Sequence, residues 1–405
     1  MKRRQATASA VPVESTCKTA GVALLLLLAA CTTHGPARQN EAVVQAFAAR
    51  GYAPAEHDAV STVTDTWMVI GQSVDVVLAQ PARPGVVHVV FYIPGLGESS
   101  AAGERWRAAW SAAGYAVVSV QPLDQDATAW RSELARTGEF TALGHQHYSA
   151  AAMNRRVQML VDVVGEAKRR ANAGEAAWRR VDWDRMALAG FDLGAYTAMA
   201  IAGEHVRDAD AAASRLKLRA AITLSPYATT SAGSLDTRYR DIQGPVLSVT
   251  SNADADPLGL VEGTLLRRAP FEHMTGADKF LLSLDGLPHA GLSGTAGGAG
   301  QASDDGAAKP AASTAAKPDS GQRRRSGKHQ ASSEADSSSR GRAAPANGMA
   351  RSGLSATALQ MRLIATQDVT TAFLDAYVKD DAQAREWLAA DASRWLGAAG
   401  TLRRK

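Results

Sequence analysis

Between residues 61 and 292 the apolar positions follow two registers. Residues 61–80, STVTDTWMVIGQSVDVVLAQ, alternate and are rich in β-branched side chains, which predicts a hairpin of two strands. The run GVVHVVFYIPG, 85–95, is continuously apolar, as a strand buried on both faces must be. AGERWRAAWSAAG then switches to helical spacing, with Trp106 and Trp110 four apart on one face, where they serve packing. YAVVSVQP, RMALAG, LRAAITLSP, GPVLSVTS and finally KFLLSLDG (279–286) predict further buried strands. Residues 149–172 and 193–204 predict helices, and Arg155-Arg156 reads as part of a solvated helix face. Residues 123–148 are polar and irregular. Strands alternating with helices predict an α/β fold with a doubly wound, mostly parallel sheet. Right-handed crossovers then bring the strand-end turns to one rim.

The ends depart from this pattern. Lys2, Arg3, Arg4 and Lys18 precede AGVALLLLLAA, residues 20–30, which is too short to span a bilayer and fits the apolar part of a signal peptide. It runs into Leu28-Ala29-Ala30-Cys31, which resembles a bacterial lipobox. The resemblance implies removal of residues 1–30, lipidation of Cys31 and a lipid anchor in the outer membrane, facing the periplasm. An ordinary secretory signal is the alternative. Cys17, the other cysteine, would leave with the signal, so the mature chain would hold no disulfide. Residues 31–60 read as a tether ending in a short helical piece. Residues 61–292 read as the folded core. Residues 293–350 are Gly-, Ala-, Ser- and charge-rich, with too little apolar bulk to offset ordering, and read as a disordered insertion. Its basic cluster could meet anionic lipid, although an inert insertion is favoured. Residues 351–405 read as one or two amphipathic helices that complete the domain.

Composition adds little. The apolar fraction is 46% and the formal charge +4, gathered at the ends and in the insertion. No basic stripe is interleaved with aromatics, which argues against a nucleic-acid partner. There is no P-loop and no G-x-G-x-x-G, so no cofactor is expected. His145 and His147 lack a third nearby ligand and read as polar loop residues rather than a metal site.

The chemistry gathers at three predicted rim turns: Pro94-Gly95-Leu96-Gly97, Gly190-Phe191-Asp192-Leu193-Gly194, and Gly286-Leu287-Pro288-His289. TSNADADPLG, with Asp254 and Asp256, ends another strand on that rim. This arrangement resembles the α/β-hydrolase superfamily, and within it the dienelactone-hydrolase-like and platelet-activating-factor-acetylhydrolase-like lipases and esterases. The family's order of nucleophile, acid and histidine falls on Asp192, Asp254 and His289, with Asp256 the alternative acid. The resemblance also implies an oxyanion hole from the backbone N–H groups of Leu96 and Leu193. Gly190 and Gly194 would clear room for the elbow.

At the elbow those relatives carry serine; here it is aspartate. A carboxylate needs no base to become a nucleophile. It can attack an sp³ carbon to give an alkyl ester, as in haloalkane dehalogenases and epoxide hydrolases of the same superfamily. Histidine then activates water against the ester carbonyl. The expectation is therefore a hydrolase of a small apolar substrate. The competing reading is a silent hydrolase fold that binds a ligand, with Asp192 serving only to cap its helix. A third is an esterase or lipase of the superfamily. Ser99, Ser100 and Ser225 lie on the same rim as substitute nucleophiles. No tyrosine-bearing cap domain is evident, although residues 123–148 and 226–241 could form a small lid.

Overall fold

The computed structural model describes residues 36–209, 216–231, 233–295 and 354–405. The predicted signal peptide, Cys31 and residues 296–350 of the predicted insertion lie outside the described residues.

A nine-stranded sheet organises the described chain. Its strands are β1 (Val60–Val69), β2 (Gln72–Pro81), β3 (Val87–Ile93), β4 (Tyr115–Val120), β5 (Val181–Phe191), β6 (Ala220–Leu224), β7 (Val246–Ser251), β8 (Lys279–Leu284) and β9 (Gly400–Arg404). The spatial order is β1-β2-β4-β3-β5-β6-β7-β8-β9. Strands β4, β3, β5, β6, β7 and β8 are mutually parallel. The β1–β2 hairpin adds antiparallel at one edge and β9 at the other.

Both faces of the parallel strands are covered, which is why their sequences are continuously apolar. Along β3, Val89, Phe91 and Ile93 join one core while Val90 and Tyr92 join the other. The first core is closed by helices Ala150–Asn172 and Leu193–Ala202. The second is closed by Glu104–Ala112 and Ala356–Tyr377. Trp106 and Trp110 are fully buried there, and the Trp110 indole donates to Thr370 Oγ1 at 3.0 Å. Helix Pro36–Ala48 begins five residues after Cys31 and ends with Phe47 stacked on Trp395.

Three expectations need correction. KFLLSLDG is not the last strand, because β9 pairs with β8 from Phe280–Arg404 to Leu284–Gly400. Residues 123–148 are not irregular. They form short helices at Asp124–Ala127, Ala129–Arg131, Glu133–Arg136 and Phe140–His147. Arg155 is exposed as expected, but Arg156 is fully buried.

The chain reverses its direction of winding between β3 and β5. After β3 it adds β4 on one side, then crosses to place β5 on the other. In open parallel sheets such a switch leaves a crevice at the carboxyl ends of the two strands. Ile93 pairs with Gly190 there, so the turns after β3 and β5 meet.

Candidate active site

β5 delivers Asp192 at φ 52°, ψ −110°, before helix Leu193–Ala202. A non-glycine residue in that region carries about 1–3 kcal/mol of strain, tolerated only where surroundings enforce it. Here the Asp192 N–H donates to Leu224 O at 2.9 Å and its carbonyl accepts from Tyr196 N at 3.0 Å. The turn closes because of two glycines. A Cβ on Gly190 would come within 2.3 Å of the Gly194 carbonyl, and one on Gly194 within 2.0 Å of Ile93 O.

The Asp192 side chain makes no capping bond to its helix. That removes the reading in which aspartate sits there only as a cap. Instead Oδ1 accepts from the Tyr148 hydroxyl at 2.6 Å and Oδ2 from the Leu96 N–H at 3.4 Å. Leu96 thus lies in a turn that faces Asp192. Its carbonyl accepts from the Trp130 indole at 3.1 Å, which fixes the orientation of that peptide. Leu193 opens the elbow helix, where first-turn N–H groups have no partner within the helix.

His289 follows β8 and stands beside both carboxylates. Its Nδ1 lies 2.8 Å from Asp254 Oδ1, and its Nε2 lies 4.0 Å from Asp192 Oδ1. Asp254 is fully buried after β7. Burial alone would raise its pKa, but Arg267, with Nε 3.2 Å away, and the His289 contact outweigh it and hold the carboxyl below its ordinary value. Thr250 donates to its other oxygen at 2.8 Å. An ionised Asp254 accepts, so Nδ1 is placed to donate to it and Nε2 is the ring atom that faces Asp192. The 4.0 Å gap is too long for a hydrogen bond, as is common before substrate tightens a site.

The other candidates have different places. Asp256 accepts the N–H groups of Leu258, Leu260 and Val261 at 3.0, 2.5 and 2.8 Å, so it ties its own loop. Ser225, at φ 58°, donates to Asp254 Oδ1 at 2.8 Å and lies 3.0 Å from His289 Nδ1. That is the acid side of the imidazole, so Ser225 positions the pair and is badly placed to be deprotonated by Nε2. Ser99 Oγ accepts from Ala101 N at 3.3 Å, and neither Ser99 nor Ser100 bonds His289 among the described residues.

Three features had not been anticipated. Tyr148 follows helix Phe140–His147, stacks on Tyr196 with centroids 5.6 Å apart and meets Tyr227 at a tilt with centroids 4.7 Å apart. The segment 123–148 therefore brings a tyrosine to Asp192, which its sequence did not reveal. Next, His147 is buried rather than a loop residue: its Nδ1 lies 2.7 Å from Asp126 Oδ1, and Arg156 Nε donates to Asp126 Oδ2 at 2.8 Å. Arg156 also donates to His147 O at 2.9 Å, and Asp126 O accepts from Gly97 N at 2.7 Å. Finally, Glu98 accepts from Gly95 N at 2.9 Å and from Thr295 Oγ1 at 3.1 Å. Burial pushes its carboxyl up to about 7, with the nearby Asp192 charge adding to the rise.

The site thus offers a carboxylate at a strained elbow, an acid-held imidazole, a backbone N–H and a phenol. No family model matches the chain, and no curated protein matches it.

Proposed function

We propose that the chain is a hydrolase of the α/β-hydrolase type in which Asp192 is the nucleophile. The observation that carries this reading is the line from Asp192 through His289 to Asp254, with separations of 4.0 and 2.8 Å. The winding reversal beside the elbow and the Leu96 N–H on the Asp192 carboxylate support it further.

In this reading an Asp192 oxygen attacks an sp³ carbon of a small apolar substrate. The bond from that carbon to its leaving group breaks, and an alkyl ester forms on Asp192. The leaving atom takes the electron pair, and where it is oxygen the Tyr148 hydroxyl supplies the proton. His289 Nε2 then removes a proton from water, which attacks the Asp192 carbonyl carbon. The N–H groups of Leu96 and Leu193 receive the developing oxyanion. Collapse releases the alcohol and regenerates the Asp192 carboxylate; the histidine proton returns to the Tyr148 oxygen where that gave up its own, and otherwise leaves to solvent as the counterpart of the released halide. The sum is consumption of one water per substrate. Attack on a carboxylic ester would instead leave an acid anhydride, which disfavours esterase chemistry at this elbow.

The silent, ligand-binding reading has one observation in its favour. Asp192 is 6% exposed, and both its oxygens are engaged. A groove of about 670 Å³ lined by Ile70, Leu123, Asn154 and Met159 does not include Asp192 or His289. Substrate entry therefore requires the segment before Tyr148 to open.

The deciding experiment screens epoxides and alkyl halides, then runs many turnovers in oxygen-18 water. Label should enter the Asp192 carboxylate, because water attacks the aspartyl carbonyl. Asp192→Asn should abolish turnover, by about 10⁴-fold or more, and cost little stability. His289→Gln should accumulate an alkyl ester on the Asp192 peptide. Active protein with unlabelled Asp192 and no trapped ester would overturn the mechanism. No turnover on any substrate would favour the silent reading. We also propose that Cys31 is lipidated and anchors the domain in the bacterial envelope. Intact-mass analysis should find an acylated N-terminal Cys31, and an unmodified start elsewhere would remove the anchor.

A further inference from the structure

Away from the elbow, on the far side of the tyrosine stack, a cavity of about 410 Å³ is lined by His205, Arg207, Ser234, Thr237, Arg238 and Arg240. Its charge is unbalanced. Arg238 is 3% exposed, and its Nε pairs with the buried Glu204. His205 Nε2 lies 2.6 Å from Asp241 Oδ2, and Arg240 Nε lies 3.8 Å from the same oxygen. Asp236, on the same short helix as Thr237 and Arg238, is turned to His273 at 2.6 Å. Arg207 is exposed and has no ion pair among the described residues. Three guanidinium groups therefore share two carboxylates.

Hydrogen bonding beside this pair is also incomplete on both sides: Glu204 Oε2 is a buried acceptor with no hydrogen-bond partner among the described residues. The Arg238 guanidinium reaches Thr229 O through Nη1 at 3.4 Å, while Nη2 is buried with no hydrogen-bond partner. A buried donor left unmade is costly, and such a group calls for a partner, a water or a ligand, beyond the side chains around it. Arginine forks match the paired oxygens of phosphate and carboxylate. The Ser234 hydroxyl adds a neutral donor at the wall, while the Thr237 hydroxyl donates to Ser234 O at 3.0 Å and can only accept.

We propose that this cavity is an anion site that takes a phosphate group, with Arg207 and Arg240 as the outer clamp and Arg238 as the buried floor. Its position gives occupancy a structural consequence. The Arg238 guanidinium lies 5.9 and 5.5 Å from the ring centroids of Tyr196 and Tyr227, the two rings that pack against Tyr148. A phosphate held there would fix the floor of the stack that carries the phenol to Asp192. The proposal is independent of whether Asp192 turns over.

The phosphate could arrive as free anion or as a lipid headgroup, and two probes separate these sources. Detergent-purified full-length protein is titrated by calorimetry with inorganic phosphate and with glycerophosphoglycerol, a soluble phosphodiester headgroup; glycerophosphocholine is the zwitterionic control. The variant is Arg207→Gln with Arg240→Gln. Both side chains line the surface end of the cavity, so folding should survive, which a thermal melt verifies. Binding of inorganic phosphate that weakens at least tenfold in the variant supports a free-anion site. Binding of the phosphodiester alone, weakened equally, supports a headgroup site. No binding of either probe, or binding of the same strength in the variant, overturns the proposal.

Discussion

Among the described residues two Asp–His–Arg clusters with buried aspartates look alike and differ in their surroundings. In one, His289 Nδ1 meets Asp254 at 2.8 Å with Arg267 at 3.2 Å. In the other, His147 Nδ1 meets Asp126 at 2.7 Å with Arg156 at 2.8 Å. In both, the arginine and histidine outweigh burial and hold the aspartate below its ordinary pKa. The difference is what lies beyond the imidazole. The His289 side chain is 15% exposed and its Nε2 faces a second carboxylate across 4.0 Å. The His147 side chain is 2% exposed, inside a cluster that binds the Gly97 turn to the residue before Tyr148. A buried His–Asp pair therefore does not by itself identify a catalytic base; the proposed role of His289 rests on its access and on the carboxylate beyond it.

Parallel substitutions break this comparison most sharply. Asp254→Asn should lower turnover per folded molecule by about 10⁴-fold, since the imidazole loses its orientation and its stabilised cation. Asp126→Asn leaves Arg156 buried without its charge partner and should cost about 3–5 kcal/mol of stability. The folded fraction of that variant should keep turnover within about tenfold, because Asp126 touches no reacting atom. Denaturant melts and single-turnover rates on both variants test this. Equal losses of turnover per folded molecule would mean that both clusters act in the chemistry.

The two clusters also differ in how readable they were. Asp254 and His289 stand out in the sequence because each sits just past an apolar strand, and the structure places them 2.8 Å apart. The parallel strands were legible for the same reason: a strand buried on both faces must be continuously apolar. Arg156 was misread because an arginine within an amphipathic helix normally faces water. Its partner Asp126 lies 30 residues earlier, in a segment too polar to suggest burial. β9, GTLRR, carries no apolar run and is defined only by its pairing with β8. Tyr148 gave no local signal, because its role comes from a contact across 44 residues. Polar groups buried by long-range pairing leave no periodic trace, whereas the fold of the sheet does.

A smaller effect sharpens what Tyr148 does between the two clusters. Tyr148→Phe keeps the ring against Tyr196 and Tyr227 and deletes only the hydroxyl. Substrates that release an alkoxide should lose about 10²-fold in kcat, since the proton donor is gone. Alkyl halides, whose leaving group needs no proton, should change by no more than about threefold. Equal losses on both substrate classes would reassign the phenol to holding Asp192 in place.

The smallest expected effect concerns Glu98, which belongs to the same turn as Leu96 but to neither cluster. Its carboxyl is pushed up to about 7, first by burial, while the Gly95 N–H and Thr295 hydroxyl pull the other way and the Asp192 charge adds to the rise. A carboxyl with a raised pKa favours folding most when it is neutral. That contribution is fully present below the ordinary value of 4.5 and is lost as pH rises through about 7. Glu98→Gln retains an oxygen for the Gly95 N–H and cannot ionise. The variant and the parent should therefore melt together near pH 5. By pH 8 the variant should melt higher by roughly 2–4 °C, a size already reduced by solvent screening at this half-buried position. Glu204 and Asp368, also raised to about 7 by burial, titrate in both proteins and cancel in the difference. A melting difference that stays flat from pH 5 to 8 would show that Glu98 is ionised throughout. The turn beside Asp192 would then carry a permanent second negative charge, which would draw cationic rather than neutral apolar substrates to the elbow.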